Sequence, residues 1–410
     1  MRTRVSGRSF FGTEAEEDGC IEFIYSMVAK YMRKEEIDIE VFRRMNWIIS
    51  NCGNKWEIDG NFISMMIEIL KNGDEFIDAG LDILDSVYYF SDRKNPLLSD
   101  EEMIDSLYEI VISGKKGQRI SAIQILANYC MYDPEVSIRI ATKEMINCII
   151  SFISNYSVYD LCDRSLKLLI SMSSMPNQLI LEQVFPYLLA LLSDSVPKIS
   201  ELAFHCVFQY QMSILNTIDH NHVINSMIKS LKLGFSQSNL LLFRCLSEIS
   251  PSMSLTTYIN ESLISDIDYV INQSSNKDSS PVFKFLSNSM YDSWRIFYES
   301  GLIGSIIERF DTVSFLNKYH STQTICSFFY VAEEEAKLYA AKNGVDMILF
   351  ILKSDYTEGK HYLVASFNEM IRLYCDIAYN DLEDVLDELS SDDDEIIRAL
   401  ADQIKNFVIK

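Results

Sequence analysis

The amino-acid sequence predicts an all-α chain, a solenoid of about nine stacked helical repeats. Three observations carry that expectation. An apolar helix, a short polar loop and a second apolar helix recur along the chain. The recurrence has a period near forty residues. And 14 Gly with 7 Pro in 410 residues are too few for the many tight turns of an all-β chain.

Residues 1–20 include "MRTRVSGRSFFGTEAEEDG", with basic residues but no apolar h-region. They are expected to form a disordered tail without a secretory signal, ahead of a single solenoid domain over 21–410. Next comes "RRMNWIISNCGNKW" (43–56). Val41, Phe42, Met45, Ile48, Ile49 and Cys52 form one helical stripe at i, i+4, i+7, i+8 and i+11 spacing. At about 100° per residue, Trp47 points roughly 150° away from the centre of that stripe. Asn51, one turn later, shares its side. The largest apolar side chain of this helix is therefore expected to face solvent.

The composite unit follows in "DGNFISMMIEILKNGDEFIDAGLDILDSVYY" (59–89) and "MIDSLYEIVISGKKGQRISAIQILANYC" (103–130). It returns in "FPYLLALLSDSVPKISELAFHCVFQY" (185–210) and "NGVDMILFILKSDYTEGKHYLVASFNEMIRLYCDIA" (343–378), and "ESGLIGSIIERF" (299–310) begins another. A short extra segment, "DPEVSIRIATKE" (133–144), lies between two units. The position of Asn51 in each second helix is matched by Ser86, Asn128, Ser171, Gln209, Glu248, Asn288, Tyr330 and Asp376. From 51 to 376 is 325 residues over eight intervals, or about 41 each. The last stretch, "NDLEDVLDELSSDDDEIIRALADQIKNFVIK", holds nine acids in residues 381–395. Acids suit a helix start, so this reads as a capping repeat with a solvated outer face.

The pattern resembles the armadillo-repeat family, through starts such as "ESGLIGSIIERF" and "KNGVDMILFIL" and ends such as "SAIQILANYC". The resemblance covers nearly the whole chain and implies a right-handed superhelix with a concave groove. Locally, "NWIISNCGNK" (46–55) is similar to the last helix of repeats in importin-α, the nuclear-import adaptor. In that family the Asn amides hold the main chain of an extended peptide and the Trp rings flank its Lys and Arg side chains. The resemblance places Trp47 and Asn51 in those roles. An amide both donates and accepts, so it matches a peptide unit. A Trp face attracts a cation and packs its aliphatic stem. By register, the groove is expected to be lined by Trp47, Asn51, Asp82, Ser86, Gln124, Asn128 and Asn288. The positions matching Trp47 hold Asp82, Gln124, Lys167, His205, Arg244, Lys284, Cys326 and Arg372, with no second tryptophan. Arg44, one turn before Trp47, is expected to face the groove too and to repel a basic peptide there.

Lys plus Arg is 36 and Asp plus Glu is 59, a net charge of −23. Such a chain repels nucleic-acid phosphates and anionic lipid, and favours basic protein partners. Cys20, Cys52, Cys130, Cys148, Cys162, Cys206, Cys245, Cys326 and Cys375 are scattered, mostly within apolar helices. They read as reduced thiols of a cytoplasmic or nuclear protein. No apolar run approaches about 18 residues, so no membrane span is expected. "GKKGQRIS" (114–121) lacks phosphate-loop spacing and reads as a polar inter-helix loop. "DHNH" (219–222) reads as a helix entry, not a metal site. No motif supports catalysis, a metal, a cofactor or a small-molecule substrate. The expectation is a non-enzymatic adaptor that holds an extended basic segment of another protein, of the importin-α kind. The alternative is a general armadillo scaffold of the β-catenin type, for signalling, adhesion or cytoskeletal assembly.

Overall fold

The computed structural model describes residues 14–52, 58–72, 75–90, 100–154, 158–173, 180–217, 220–230, 237–252, 254–273, 278–354, 358–374 and 379–408. Among them there are helices, turns and loops but no strand. The chain divides into two compact units, Met1–Ile218 and Asp219–Lys410. The first holds α1 (Glu14–Met32), α2 (Ile39–Cys52), α3 (Gly60–Asn72), α4 (Ile77–Phe90), α5 (Glu101–Ser113) and α6 (Lys116–Cys130). It continues with α7 (Pro134–Ile140), α8 (Lys143–Ser154), α9 (Tyr159–Met172), α10 (Phe185–Leu191) and α11 (Pro197–Thr217). The second holds α12 (His220–Lys229), α13 (Gln237–Ile249), α14 (Glu261–Asn272), α15 (Ser280–Glu299) and α16 (Leu302–Glu308). It ends with α17 (Phe315–Val331), α18 (Glu334–Leu352), α19 (Lys360–Leu373), α20 (Tyr379–Ser390) and α21 (Glu395–Val408).

Local chemistry sets the ends. Asp100 accepts from the Glu102 and Met103 amides at the start of α5. Asp133 accepts from the Glu135 amide, with Pro134 in the first turn of α7. Asn260 and Ser314 cap α14 and α17 in the same way. These side chains satisfy amides that have no partner within their own helix. Gly301 turns the chain from α15 into α16 at φ 81°, where a Cβ would be strained. In the acidic stretch, Asp394 accepts from the Ile396 amide at 2.8 Å, so its carboxylate opens α21 as expected.

Two departures from the sequence reading concern such ends. Helix α1 begins at Glu14, within the span expected to form the tail. In "GKKGQRIS" only Gly114 and Lys115 lie between helices. Gln118 Oε1 accepts the Lys115 amide, and the Arg119 guanidinium donates to the carbonyls of Gly114 and Ile112. Those polar side chains fold back onto the turn and start α6 early.

Two layers make up the first unit. Helices α2, α4, α6, α9 and α11 pack consecutively, as do α1, α3, α5, α8 and α10. In the second unit α13, α15, α17, α19 and α21 form the corresponding layer. The short α7 is the extra segment seen in the sequence at 133–144. Neighbouring last helices run parallel, because paired residues advance together along both. Cys206 Sγ donates to the Leu166 carbonyl and Tyr210 Oη to that of Leu169, steps of 40 and 41 residues. Thr324 Oγ1 reaches the Phe283 carbonyl over 41 residues. The core lies between the layers, where Phe42, Met45, Ile48, Phe62, Leu126, Leu166 and Phe204 are almost wholly buried. Each such side chain stabilises the fold by about 1.5–3 kcal/mol. No helix among the described residues is long and apolar enough to cross a membrane.

Tyr210 joins burial to a hydrogen bond across the repeat boundary. Tyr210→Phe should cost about 1 kcal/mol in urea unfolding, and Tyr210→Ala about 3–5 kcal/mol. Equal losses for both would mean that the ring does not pack as described.

Candidate functional site

The exposed side of the last-helix layer in the first unit carries the candidate residues. Helix α2 presents its stripe of Phe42, Met45, Ile48 and Ile49 to the core, each no more than 2% exposed. Trp47, on the other side, is 54% exposed. The half-buried Asn51 donates from Nδ2 to the Trp47 carbonyl at 2.6 Å, one turn back. Arg44, one turn before Trp47, is exposed. Its guanidinium lies 4.4 Å from the ring centroid of Phe23 on α1. Arg43 pairs with Glu40.

On α4, Ser86 receives the Ser50 hydroxyl at 3.0 Å, and Phe42 meets Phe76 with ring centroids 5.3 Å apart. Those two contacts align α2 with α4 and put Asp82 in the row of Trp47. Asp82 is exposed. Partial burial of its carboxyl and the neighbouring Asp78 both raise its pKa above the ordinary value. The row continues on α6 with half-buried Gln124, whose amide donates to Asn128 Oδ1 at 2.9 Å. Asn128 itself is only 6% exposed. It is therefore packed into the layer, largely covered in the unbound chain.

From α6 to α11 the row becomes a charged network. Arg164 donates to Gln124 Oε1 across 40 residues. Beside it, Asp163 is buried, with Lys167 Nζ at 2.6 Å, Lys198 Nζ at 3.2 Å and Arg164 Nε at 4.0 Å from its carboxylate. Burial opposes the charge on Asp163, but hydrogen bonds and attraction from Lys167 and Lys198 outweigh it and hold the pKa below the usual value. Asp163 and Lys198 were not candidates in the sequence. The available signal was a carboxylate among the buried Leu161, Cys162 and Leu166, a position where a lone charge is costly.

In the second unit, Arg244, Lys284 and His320 line a cleft of ≈ 570 Å³ with Glu248, Asp278 and Leu241. Lys284 pairs with Glu248 at 2.7 Å. Burial lowers the pKa of His320. Asn288 donates its amide to the Ser247 carbonyl at 2.8 Å, a bond between repeats. Cys326 is fully buried, while Tyr330, one turn later and matched to Asn51 by register, is 42% exposed, with half-buried Gln323 and Ser327 on the same side of α17. Asp376 and Trp56 lie outside the described residues. Burial raises the pKa of Cys162 to about 11 and of Cys326 to about 12, which leaves both as unreactive thiols. Among the described residues no three His, Cys, Asp or Glu side chains gather as a metal site would require. His220 opens α12.

No protein-family model matches the chain, and no curated protein does. Among solved structures it is similar to an engineered protein from the Northeast Structural Genomics Consortium. That match covers 99% of this chain and 97% of the other, at 13% identity and a TM-score of 0.62. A second engineered protein from the consortium matches 56% of this chain and 97% of its own, at 11% identity and a TM-score of 0.44. A mutant of Kap121p matches 93% of this chain and 40% of its own, at 12% identity and a TM-score of 0.46. With the layered packing described above, the first likeness establishes the fold as an all-α solenoid.

The exposure of Trp47 has a measurable consequence. Trp47→Ala should change unfolding stability by no more than about 0.5 kcal/mol, whereas Phe42→Ala, on the opposite side of α2, should cost about 3–5 kcal/mol. A large loss for both in denaturant titrations would place Trp47 in the packing.

Proposed function

We propose that the chain is a non-enzymatic protein-binding scaffold that holds an extended partner segment along the exposed side of α2, α4, α6, α9 and α11. One observation carries the reading: Trp47 is 54% exposed on a helix whose Phe42, Met45, Ile48 and Ile49 are buried. An exposed indole on a rigid helix is an anchor for a partner side chain. Asp82 stands in the same row, its carboxyl partly desolvated and next to Asp78. An anionic pair of that kind is relieved by an arriving cation. A Lys or Arg side chain resting on the Trp47 ring, with its charge towards Asp82, satisfies both. The described cysteines, five of seven buried and none in a disulfide, support a protein of the cytoplasm or nucleus.

A nuclear-import adaptor of the importin-α kind is the narrower reading. It calls for an asparagine free to hold the peptide main chain at successive repeats. Asn128 and Asn288 are engaged within the fold, with Gln124 and with the Ser247 carbonyl. That observation favours the general scaffold.

Titration of an extended Lys-bearing peptide by fluorescence anisotropy tests the proposal. Trp47→Ala should weaken binding by about 1–2 kcal/mol, the range of a partly desolvated cation–π contact. Asp82→Asn should weaken it in the same direction. Added salt should weaken the interaction further. Because the Asp82 pKa is raised, its charge is lost earlier than that of an ordinary carboxylate as pH falls, and affinity should drop with it. A folded Trp47→Ala variant that binds as tightly as the parent would rule out this anchor.

A further inference from the structure

We infer that the partner segment is bipolar: it carries an acidic side chain about eight residues from the cation at Trp47, received by Lys167, Lys198 and Arg164. This rests on the segment lying along the last-helix layer as proposed above. The charge of the layer changes sign within the first unit. Near Trp47 stand the carboxylates Asp78 and Asp82 of α4, together with Arg44 of α2, whose guanidinium lies over the Phe23 ring of α1, so the carboxylates outnumber the cation there by one. Between α9 and α11, three cations surround the single carboxylate of Asp163, at 2.6, 3.2 and 4.0 Å. Among these four side chains three cations stand against one carboxylate, with Asp160 and Glu201 one turn from Arg164 and Lys198, in a chain whose net charge is −23.

The arrangement is held before any partner arrives. The Asp163 side chain is 6% exposed, while those of Lys167, Arg164 and Lys198 are 33%, 36% and 56% exposed. A buried carboxylate thus holds Lys167 and Lys198, with Arg164 alongside, in side chains that stay partly exposed. Much of the rotamer entropy that an incoming anion would otherwise have to remove is already lost. Arg164 is further fixed by Gln124 on α6. Asp160 and Glu201 lie one turn from Arg164 and Lys198 on the same helices and offset part of their charge. The site accordingly favours a carboxylate in direct contact with the ammonium groups over diffuse attraction to an acidic surface.

The spacing follows from the layer. Adjacent helices pack about 8–10 Å apart. The cation site lies between α2 and α4, and the anion site between α9 and α11, three helix steps further on. That is about 24–30 Å, or roughly eight residues of extended chain at about 3.3 Å each.

Three synthetic peptides test this on the full chain at 0.1 M salt, about one Debye length of 10 Å. One carries Lys alone, one adds Glu eight residues away, and one has Gln at that position. The Glu peptide should bind about tenfold more tightly than the Gln peptide, an advantage that Lys167→Gln with Lys198→Gln abolishes. Since that double variant leaves Asp163 short of partners and is at risk of misfolding, acylation of the parent protein is read as well. The Glu peptide should protect Lys198 from an amine-reactive ester, and the Gln peptide should not. Equal affinities for the Glu and Gln peptides, an advantage that survives in the folded double variant, or unprotected Lys198 would overturn the inference. If no peptide binds in a Trp47-dependent way, the underlying groove reading fails instead.

Discussion

The structure depends on the fact that a pair of helices cannot bury its own apolar face. Each repeat exposes one side of a core that only the next repeat can close. The last helices must then stack in parallel, and their inner side chains must interlock at a step near forty residues. Tyr210, Cys206 and Thr324 record that step, each donating to a carbonyl 40 or 41 residues earlier in the chain. Once the core side of every last helix is committed, the opposite side is left over. It becomes a continuous row of short, addressable positions, one or two per helix. Trp47, Asp82, Gln124, Arg164 and Lys198 occupy such positions in the first unit.

That row does not share the character of the chain as a whole. With a net charge of −23, the average surface repels anions. Two carboxylates on the layer show how local geometry departs from the average. Asp82 sits beside another carboxylate and its pKa rises. Asp163 is more deeply enclosed, yet its pKa falls, because two lysines contact it. The first is an anion in want of a cation. The second is a pin that holds an excess of cations in place. Net charge alone pointed towards basic partners along the whole length. The distribution of contacts instead gives the two ends of this layer opposite preferences.

The sequence made the helices, their pairing and their outward rows legible because a period of 3.6 residues nested within a period near forty leaves little freedom. The exposure of Trp47 followed from its angle to the stripe of Phe42 and Met45. Side-chain choices were less legible. Arg44 shares an exposed helix surface with Trp47, but nothing in one sequence says that it will lie over Phe23 from another helix. Asn128 was placed in the right row, and the depth to which α6 sinks between its neighbours decided that it would be covered. Cys326 sits in the expected register but its small side chain is covered, while Tyr330 one turn later is exposed. Local side-chain bonds also hid the start of α6, since Gln118 and Arg119 read as loop residues until they are seen to cap it.

A partner segment that runs along the last-helix layer leaves the other layer bare. A photo-crosslinking residue in place of Gln124, midway along the row, tests it most directly, with the same residue at the exposed Glu109 of α5 as comparison. With a peptide bearing Lys and Glu at the spacing derived above, crosslinks are expected from position 124, mapping to the peptide's middle. None is expected from position 109. Crosslinks from 109 alone, or equal yields from both, would contradict the account.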